Sequence, residues 1–141
     1  MSLRSRLLLC FGVAALAPVS GSGQQPLSSA GETARAAFAH QDFRPLLEGA
    51  ATVQLHLPGV GSSTPMSSAQ ATVALAGFTR RAEEVGVELG SARTVDHDYG
   101  YVELTRRFRL PGTQEVRSQR VLLGYRSLGG RWVVFEIRVV E

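Results

Sequence analysis

The last third of the chain constrains the fold most, because it has the pattern of a three-stranded antiparallel meander. Residues 101–110, 115–128 and 131–141 are rich in β-branched and aromatic side chains. A Pro-Gly turn at 111–114 separates the first two runs, and Gly129-Gly130 separates the last two. Both are turn sequences typical of hairpins. The upstream sequence therefore has to supply elements that cover one face of this sheet.

Two helices are predicted before the first strand. Ser29 and Glu32 match a capping box, in which each side chain satisfies a backbone amide at the start of a helix over 30–40. Asp42 is placed to cap a shorter helix over 43–48.

A strand, a longer helix and a further strand follow. Residues 51–57 alternate between apolar and polar, which predicts a strand with one buried side. After a Gly/Ser/Pro-rich loop, expected to be a flexible hairpin or flap, Ser67 or Ser68 caps a helix that continues to about residue 85. Residues 87–95 form the strand that leads into the meander.

The first 23 residues have the features of a signal peptide. Arg4 and Arg6 precede an apolar run of 11 residues, 7–17, and small residues follow up to Gly23. A spanning helix needs about 20 apolar residues, so this run is too short. We expect cleavage near Gly23 and export to the periplasm or the extracellular space. An uncleaved N-terminal anchor is the alternative.

The mature chain is expected to be one domain that is stabilised by its core alone. A polar linker is predicted over 24–28 and a single domain over 29–141, which is long enough to bury a core. Cys10 is the only cysteine and lies inside the predicted signal peptide, so the mature chain can form no internal disulfide.

Charge and motif content exclude several classes of function. All 15 basic residues are arginine. Without the predicted signal peptide, 13 arginines and 12 acidic residues leave a net charge of only +1, so nucleic acid is not an expected partner. Asp96, His97 and Asp98 alternate in direction along an extended chain, which favours a solvated turn over a metal site. The chain also has no Ser-centred nucleophile motif and no phosphate-binding glycine loop. We therefore predict no metal and no cofactor.

Several segments together resemble the nuclear-transport-factor-two-like superfamily, which shares its fold with ketosteroid isomerase. The resemblance rests on residues 34–47, 53–59, 67–71 and 131–138, and it points more narrowly to an exported bacterial family of unassigned function. It implies a cone-shaped α+β fold, in which N-terminal helices pack on a curved antiparallel sheet. In that superfamily the concave pocket binds small ligands or hosts acid–base chemistry, and the sheet mediates dimerisation in some members.

Isomerase chemistry needs a carboxylate base that faces an apolar cavity. Alternation in the strands places Glu103 and Glu136 on the outer side, so the sequence offers no such base. We therefore predict a non-enzymatic module that binds a ligand or a protein. An isomerase- or dehydratase-type enzyme that uses the pocket is the alternative, because fold alone does not determine function.

Four polar residues fall on apolar strand faces and are the predicted pocket residues: Arg93, Arg106, Gln119 and Tyr125. A buried guanidinium is costly unless it is paired, so converging arginines would suit an anionic ligand. Alternatively, the arginines reach the rim, pair with carboxylates, or follow a bulge that reverses the alternation. An apolar ligand is compatible with the same pocket.

The last strand is apolar on both sides. Val133 and Phe135 are predicted to face the core, which places Trp132, Val134 and Val140 on the opposite face. An exposed apolar patch of this kind predicts a homodimer interface through the sheet. Coverage by a neighbouring loop or by the N-terminal segment is the alternative.

Overall fold

The predicted meander is the centre of the structure, a computed structural model that describes residues 25–141. The predicted signal peptide, residues 1–23, lies outside the described residues. The elements in chain order are α1 Leu27–His40, β1 Thr52–Leu57, β2 Gly61–Ser62, β3 Met66–Ser67, α2 Ser68–Thr79, β4 Glu83–Thr94, β5 Tyr99–Arg109, β6 Val116–Leu128 and β7 Arg131–Val140.

All the strands of this region belong to one curved sheet, with the order β2-β1-β7-β6-β5-β4 and with β3 paired to the start of β1. Every pairing is antiparallel except that between β1 and β7. Both helices lie on one face, α1 against β4 and β5 and α2 against β1 and β3. The predicted α+β class is therefore confirmed, with the meander β5-β6-β7 at its centre.

We call the side that the helices cover the helix-covered face. Its apolar core includes Val53, Leu55, Val102, Leu104, Val121, Leu123, Ile137 and Val139. Gly31 lets α1 approach this face closely, since a Cβ there would lie 3.0 Å from Leu89 Cδ1. Within residues 25–141, neither helix combines the length and apolarity that crossing a membrane requires.

Helix α1 begins earlier than predicted, and the predicted capping box is wrong. The N-cap is Pro26, with no side-chain cap, and Ser29 lies inside the first turn. Leu27 is buried, so its packing draws the end of the predicted linker into the helix. The helix ends at His40, and its C-cap residue Gln41 has a left-handed φ of 53°.

The predicted second helix over residues 43–48 is a turn. The amide of Leu47 donates to the Phe43 carbonyl at 3.2 Å, and the Arg44 amide donates to Asp42 Oδ1 at 3.4 Å. The Phe43 ring packs edge-on against Phe38, with centroids 5.0 Å apart. A single turn is therefore enough to bury Phe43, Leu46 and Leu47.

The start of α2 agrees with the prediction and its end does not. Ser67 is the N-cap of a complete capping box with Gln70. The helix stops at Thr79 rather than near residue 85, because β4 already begins at Glu83. Residues 83–84 pair with the end of β5, and this strand pairing overrides the helical spacing of apolar residues that predicted a longer helix.

A bulge in β7 overturns part of the interface prediction. Tyr125 pairs with Val134 and Gly124 pairs with Glu136, so Phe135 is an extra residue between them. The bulge reverses the alternation, and Trp132 and Val134 lie in the core with 9% and 1% of their surface exposed. Their assignment to an outer patch was therefore wrong.

The opposite side of the sheet, which neither helix covers, is the open face. It carries Gln54, His56, Tyr101, Glu103, Leu122, Gly124, Phe135, Glu136, Arg138 and Val140. Phe135 lies over Gly124, where a Cβ would come within 2.9 Å of the ring. Phe135 also contacts the Tyr99 ring, with centroids 5.7 Å apart. Of the predicted interface residues, only Val140 remains on this face, where it is half-buried.

Candidate functional site

The most deeply buried charge in residues 25–141 is the Arg106 guanidinium, 1% exposed. Its Nε donates to Glu84 Oε1 at 2.5 Å and its Nη1 donates to Gln119 Oε1 at 3.0 Å. Nη2 is also 2.5 Å from the same glutamate oxygen, but outside hydrogen-bond geometry. The rings of Phe78 and Phe108 lie 5.7 and 4.7 Å from the guanidinium carbon. The Glu84 carboxylate thus neutralises the buried charge of Arg106.

The structure brings two of the four predicted pocket residues together. Arg106 and Gln119 are direct cross-strand neighbours. Tyr125 shares their face but lies six residues further along β6, which is roughly 20 Å away at the usual rise per residue.

Arg93 is on the wrong side of the sheet for the predicted pocket. The register between β4 and β5 shifts between Leu89 and Ser91, so that Arg93 pairs with Tyr101 on the open face. Its side chain is exposed. Strict alternation from Leu89 placed Arg93 inside, and a β-bulge of the kind left open as an alternative reverses that assignment.

Tyr125 instead marks a separate cavity at the β6–β7 hairpin end of the sheet. This hairpin-end cavity, of about 240 Å³, is lined by Gln25, Ala30, Thr33, Pro45, Leu46, Glu48, Tyr125, Arg131 and Trp132. Three parts of the chain meet there: the first turns of α1, the turn after α1, and the hairpin.

The Tyr125 hydroxyl is the buried polar group of this cavity. It donates to the Ala30 carbonyl at 3.4 Å, a long hydrogen bond. Burial raises the pKa of Tyr125 far above its ordinary value of 10.0. The phenol therefore stays neutral at physiological pH and can both donate to and accept from a small molecule.

Two opposite charges flank the cavity. Glu48 Oε1 and Arg131 Nη2 are 3.9 Å apart, and both side chains are well exposed, at 68% and 61%. An exposed pair at this distance is weak, so either partner can exchange the other for a ligand at little cost.

The Asp96-His97-Asp98 segment forms an exposed turn. The Asp98 amide donates to Asp96 Oδ1 at 2.8 Å, and His97 Nε2 lies 3.2 Å from Asp98 Oδ2. Within residues 25–141, no group of three metal-ligating side chains converges.

Sequence reasoning missed Glu48 and Arg131 as cavity residues. Neither belongs to an alternating strand interior, since one lies in the turn after α1 and the other opens β7. Their proximity depends on how that turn packs against the hairpin. The one available signal was that each is a charged residue beside a predicted turn.

The architecture and its cavity define the class of fold: the chain has the nuclear-transport-factor-two-like α+β fold. A DUF4783 family protein from Bacteroides ovatus is similar, with a TM-score of 0.64, 18% identity, and coverage of 82% of this chain and 94% of that chain. A ketosteroid isomerase-like protein from Erwinia carotovora atroseptica has a TM-score of 0.64 at 14% identity, covering 80% of this chain and 91% of that chain.

A third similar structure is a hypothetical protein with a ketosteroid isomerase-like fold from Catenulispora acidiphila, in complex with trimethylamine. Its TM-score is 0.63 at 15% identity, covering 82% of this chain and 87% of that chain. By sequence, the chain matches no protein-family profile and no curated protein. These likenesses establish the fold, and function has to be argued from the site.

Proposed function

We propose that the protein is an exported binding module that holds a small carboxylate in the hairpin-end cavity without converting it. The observation that carries this proposal is the buried, neutral Tyr125 hydroxyl at a cavity flanked by the loosely paired Arg131. Export rests on the signal-peptide pattern of the first 23 residues.

The size and chemistry of the cavity narrow the ligand class. At about 240 Å³ it is below the range of roughly 300–1,000 Å³ for drug-sized ligands. A carboxylate can replace Glu48 as the partner of Arg131, since a guanidinium binds carboxylates through two parallel hydrogen bonds. A hydroxyl or carbonyl on the same ligand can then pair with Tyr125, whose present hydrogen bond is long.

Arg106 is a poorer anchor for an anion than Arg131. Glu84 already provides its counter-charge, and the side chain of Glu84 is only 10% exposed. A ligand would have to displace a buried carboxylate and leave it without a partner, which is strongly unfavourable.

Thermal-shift screening of small hydroxy- and oxo-carboxylic acids tests this function. We expect at least one to raise the melting temperature, because a ligand at 100 times its Kd stabilises the folded protein by about 2.7 kcal/mol.

Arg131→Gln should weaken the affinity for that ligand at least tenfold, since charge-assisted hydrogen bonds contribute about 1.5–3 kcal/mol. Tyr125→Phe should weaken it by about three- to tenfold. Glu48→Gln should strengthen binding by removing the competing carboxylate.

The matched control is Arg126→Gln, which removes an exposed arginine on the open face beside Phe135. It should leave ligand affinity unchanged. Equal losses in Arg126→Gln and Arg131→Gln, or no stabilisation by any small carboxylate, would contradict the proposal.

The enzyme alternative draws on the same cavity, because Glu48 and Tyr125 both line it. An acid–base enzyme needs its carboxylate in an apolar environment, and the Glu48 side chain is 68% exposed. We therefore favour binding over catalysis. Conversion of the identified ligand by the protein, lost in Glu48→Gln, would reverse that preference.

We also propose a homodimer through the open face, now centred on Tyr101 and Leu122 instead of Trp132. Both are half-buried, and Glu103 and Arg120 beside them provide opposite charges that can pair across a two-fold axis. Light scattering at micromolar concentration should give the dimer mass, and Leu122→Lys should give the monomer mass with an unchanged fold. A monomeric wild-type protein would exclude this dimer.

A further inference from the structure

Ser62, His56 and Glu136 lie in contact, in that order, at the edge of the open face. His56 Nδ1 lies 2.6 Å from Ser62 Oγ, and His56 Nε2 lies 3.2 Å from Glu136 Oε1. Arg138 Nη2 donates to the same carboxylate oxygen at 3.1 Å. The order serine, histidine, glutamate is that of a base-activated hydroxyl.

The fold brings these residues together from three strands. His56 on β1 pairs with Ser62 across the short antiparallel hairpin to β2. On its other side β1 runs parallel to β7, where His56 is level with Arg138, and Glu136 lies two residues earlier, level with Gln54. Glu136 is distant from His56 in the sequence, and the parallel pairing of β1 with β7 brings the two together.

The neighbours of His56 favour one tautomer of its neutral ring. The Glu136 carboxylate, 3.2 Å from Nε2, favours the form with the proton on Nε2. Nδ1 is then unprotonated and accepts the Ser62 O–H. Arg138 donates to the same Glu136 oxygen and so holds the carboxylate in place beside the ring. The His56 side chain is only 19% exposed, so the ring is confined, whereas Ser62 is exposed to incoming molecules.

We infer that Ser62 is a nucleophile that takes an acyl group from small esters, with His56 as its general base and Glu136 as the residue that orients the ring. In the first step the Ser62 Oγ–carbon bond forms and the carbon–oxygen bond to the leaving alcohol breaks. The Oγ proton passes to His56 Nδ1 and from there to the leaving oxygen.

In the second step water attacks the acyl carbon while His56 Nδ1 takes its proton. The carbon–Oγ bond breaks, the proton returns to Ser62, and the carboxylic acid leaves. Glu136 stays ionised throughout. Neither step involves the hairpin-end cavity, which lies on the other face of the sheet, so this activity is independent of the proposed ligand binding.

Reaction with p-nitrophenyl acetate tests the inference on the purified protein. Release of p-nitrophenol should be accompanied by one acetyl group on the peptide that contains Ser62, detected by mass spectrometry. Ser62→Ala should abolish that acetylation. His56→Gln should lower the rate at least tenfold, since a general base contributes about 10²–10⁴-fold. Glu136→Gln should lower it too, by allowing the wrong tautomer.

The pH dependence gives a second readout that a merely structural serine would not show. Only a neutral imidazole can accept the Ser62 proton, so the acetylation rate should rise with pH. The charged groups that face His56 are Glu136 and Arg138 from β7, and Ser62 is its neighbour from β2.

Ser118→Ala is the matched control, because Ser118 is another exposed serine of the sheet, on β6. It should leave the rate unchanged, and all variants should melt like the wild type. An unchanged rate in Ser62→Ala, or acetyl found on the His56 ring instead of Ser62, would overturn the inference. Loss of ester cleavage without any change in carboxylate binding would leave the proposed function intact.

Discussion

Arg106→Leu should destabilise the domain by about 3–5 kcal/mol, because it leaves the Glu84 carboxylate buried without its counter-charge. Glu84 is 10% exposed at its side chain, and its second oxygen accepts no hydrogen bond among the described residues. Gln119 would also lose its buried donor. Chemical denaturation by urea, followed by circular dichroism, measures the loss. It would be a large part of the 5–15 kcal/mol typical of a whole domain.

The double variant Arg106→Leu/Glu84→Leu separates the cost of an unpaired charge from the loss of a stabilising pair. Buried ion pairs can often be replaced by apolar side chains without loss of stability. The double variant should therefore recover to within about 1–2 kcal/mol of the wild type, with the remaining cost at the unpaired Gln119 amide. Arg107→Ala, at the exposed neighbouring position, is the control and should change stability by less than about 0.5 kcal/mol.

An unchanged stability for Arg106→Leu would mean that the arginine is not paired as described. A double variant as unstable as the single one would mean that the Arg106 side chain stabilises by packing between Phe78 and Phe108 rather than by balancing charge.

Val134→Asp should prevent stable folding, and Phe135→Asp should not. Val134 is 1% exposed and pairs with the buried Tyr125, so an aspartate there would be a desolvated charge without a partner. We expect a loss above about 4 kcal/mol, the range that marks a buried defect. Phe135 is half-buried on the open face, with the Arg126 guanidinium carbon 4.6 Å from its ring centroid, so an aspartate there can reach water and a positive charge.

Soluble yield and the urea midpoint of the two variants measure this difference. Phe135→Asp should retain a cooperative transition with a loss of about 1–3 kcal/mol from its aromatic contacts with Tyr99. Strict alternation along β7 predicts the opposite ranking. A stable Val134→Asp beside an unfolded Phe135→Asp would therefore refute the bulge.

Predictions from the sequence succeeded where a local pattern and the packing favoured the same structure. The meander strands, the alternation of β1 and the Ser67 capping box are all local signals, and the structure has each of them. The same holds for the α+β class and for the side of β5 on which Arg106 lies, although its pairing with Glu84 was only one of the alternatives. Each needs only residue spacing and turn chemistry, which act over a few neighbours.

Predictions failed at bulges and at element ends. Arg93 and Trp132 were each assigned to a face by strict alternation along the strand. One extra residue in the strand reverses that assignment. The end of α2 was set too late, because strand pairing overrides the helical spacing near Glu83. A bulge has little local signature: Gly90, at the shift in β4, hints at one, but Phe135 gives no such sign.

The sequence by itself determined the class of fold, the faces of the regular strands and the polar residues available to them, because periodicity and turn chemistry are properties of short segments. Only the tertiary structure decided which of those residues meet. It joined Arg106 to Glu84, brought Arg131 and Glu48 to the cavity of Tyr125, and aligned His56 between Ser62 and Glu136. These contacts depend on strand order, register and the parallel β1–β7 pairing, which arise from packing between segments distant in the chain.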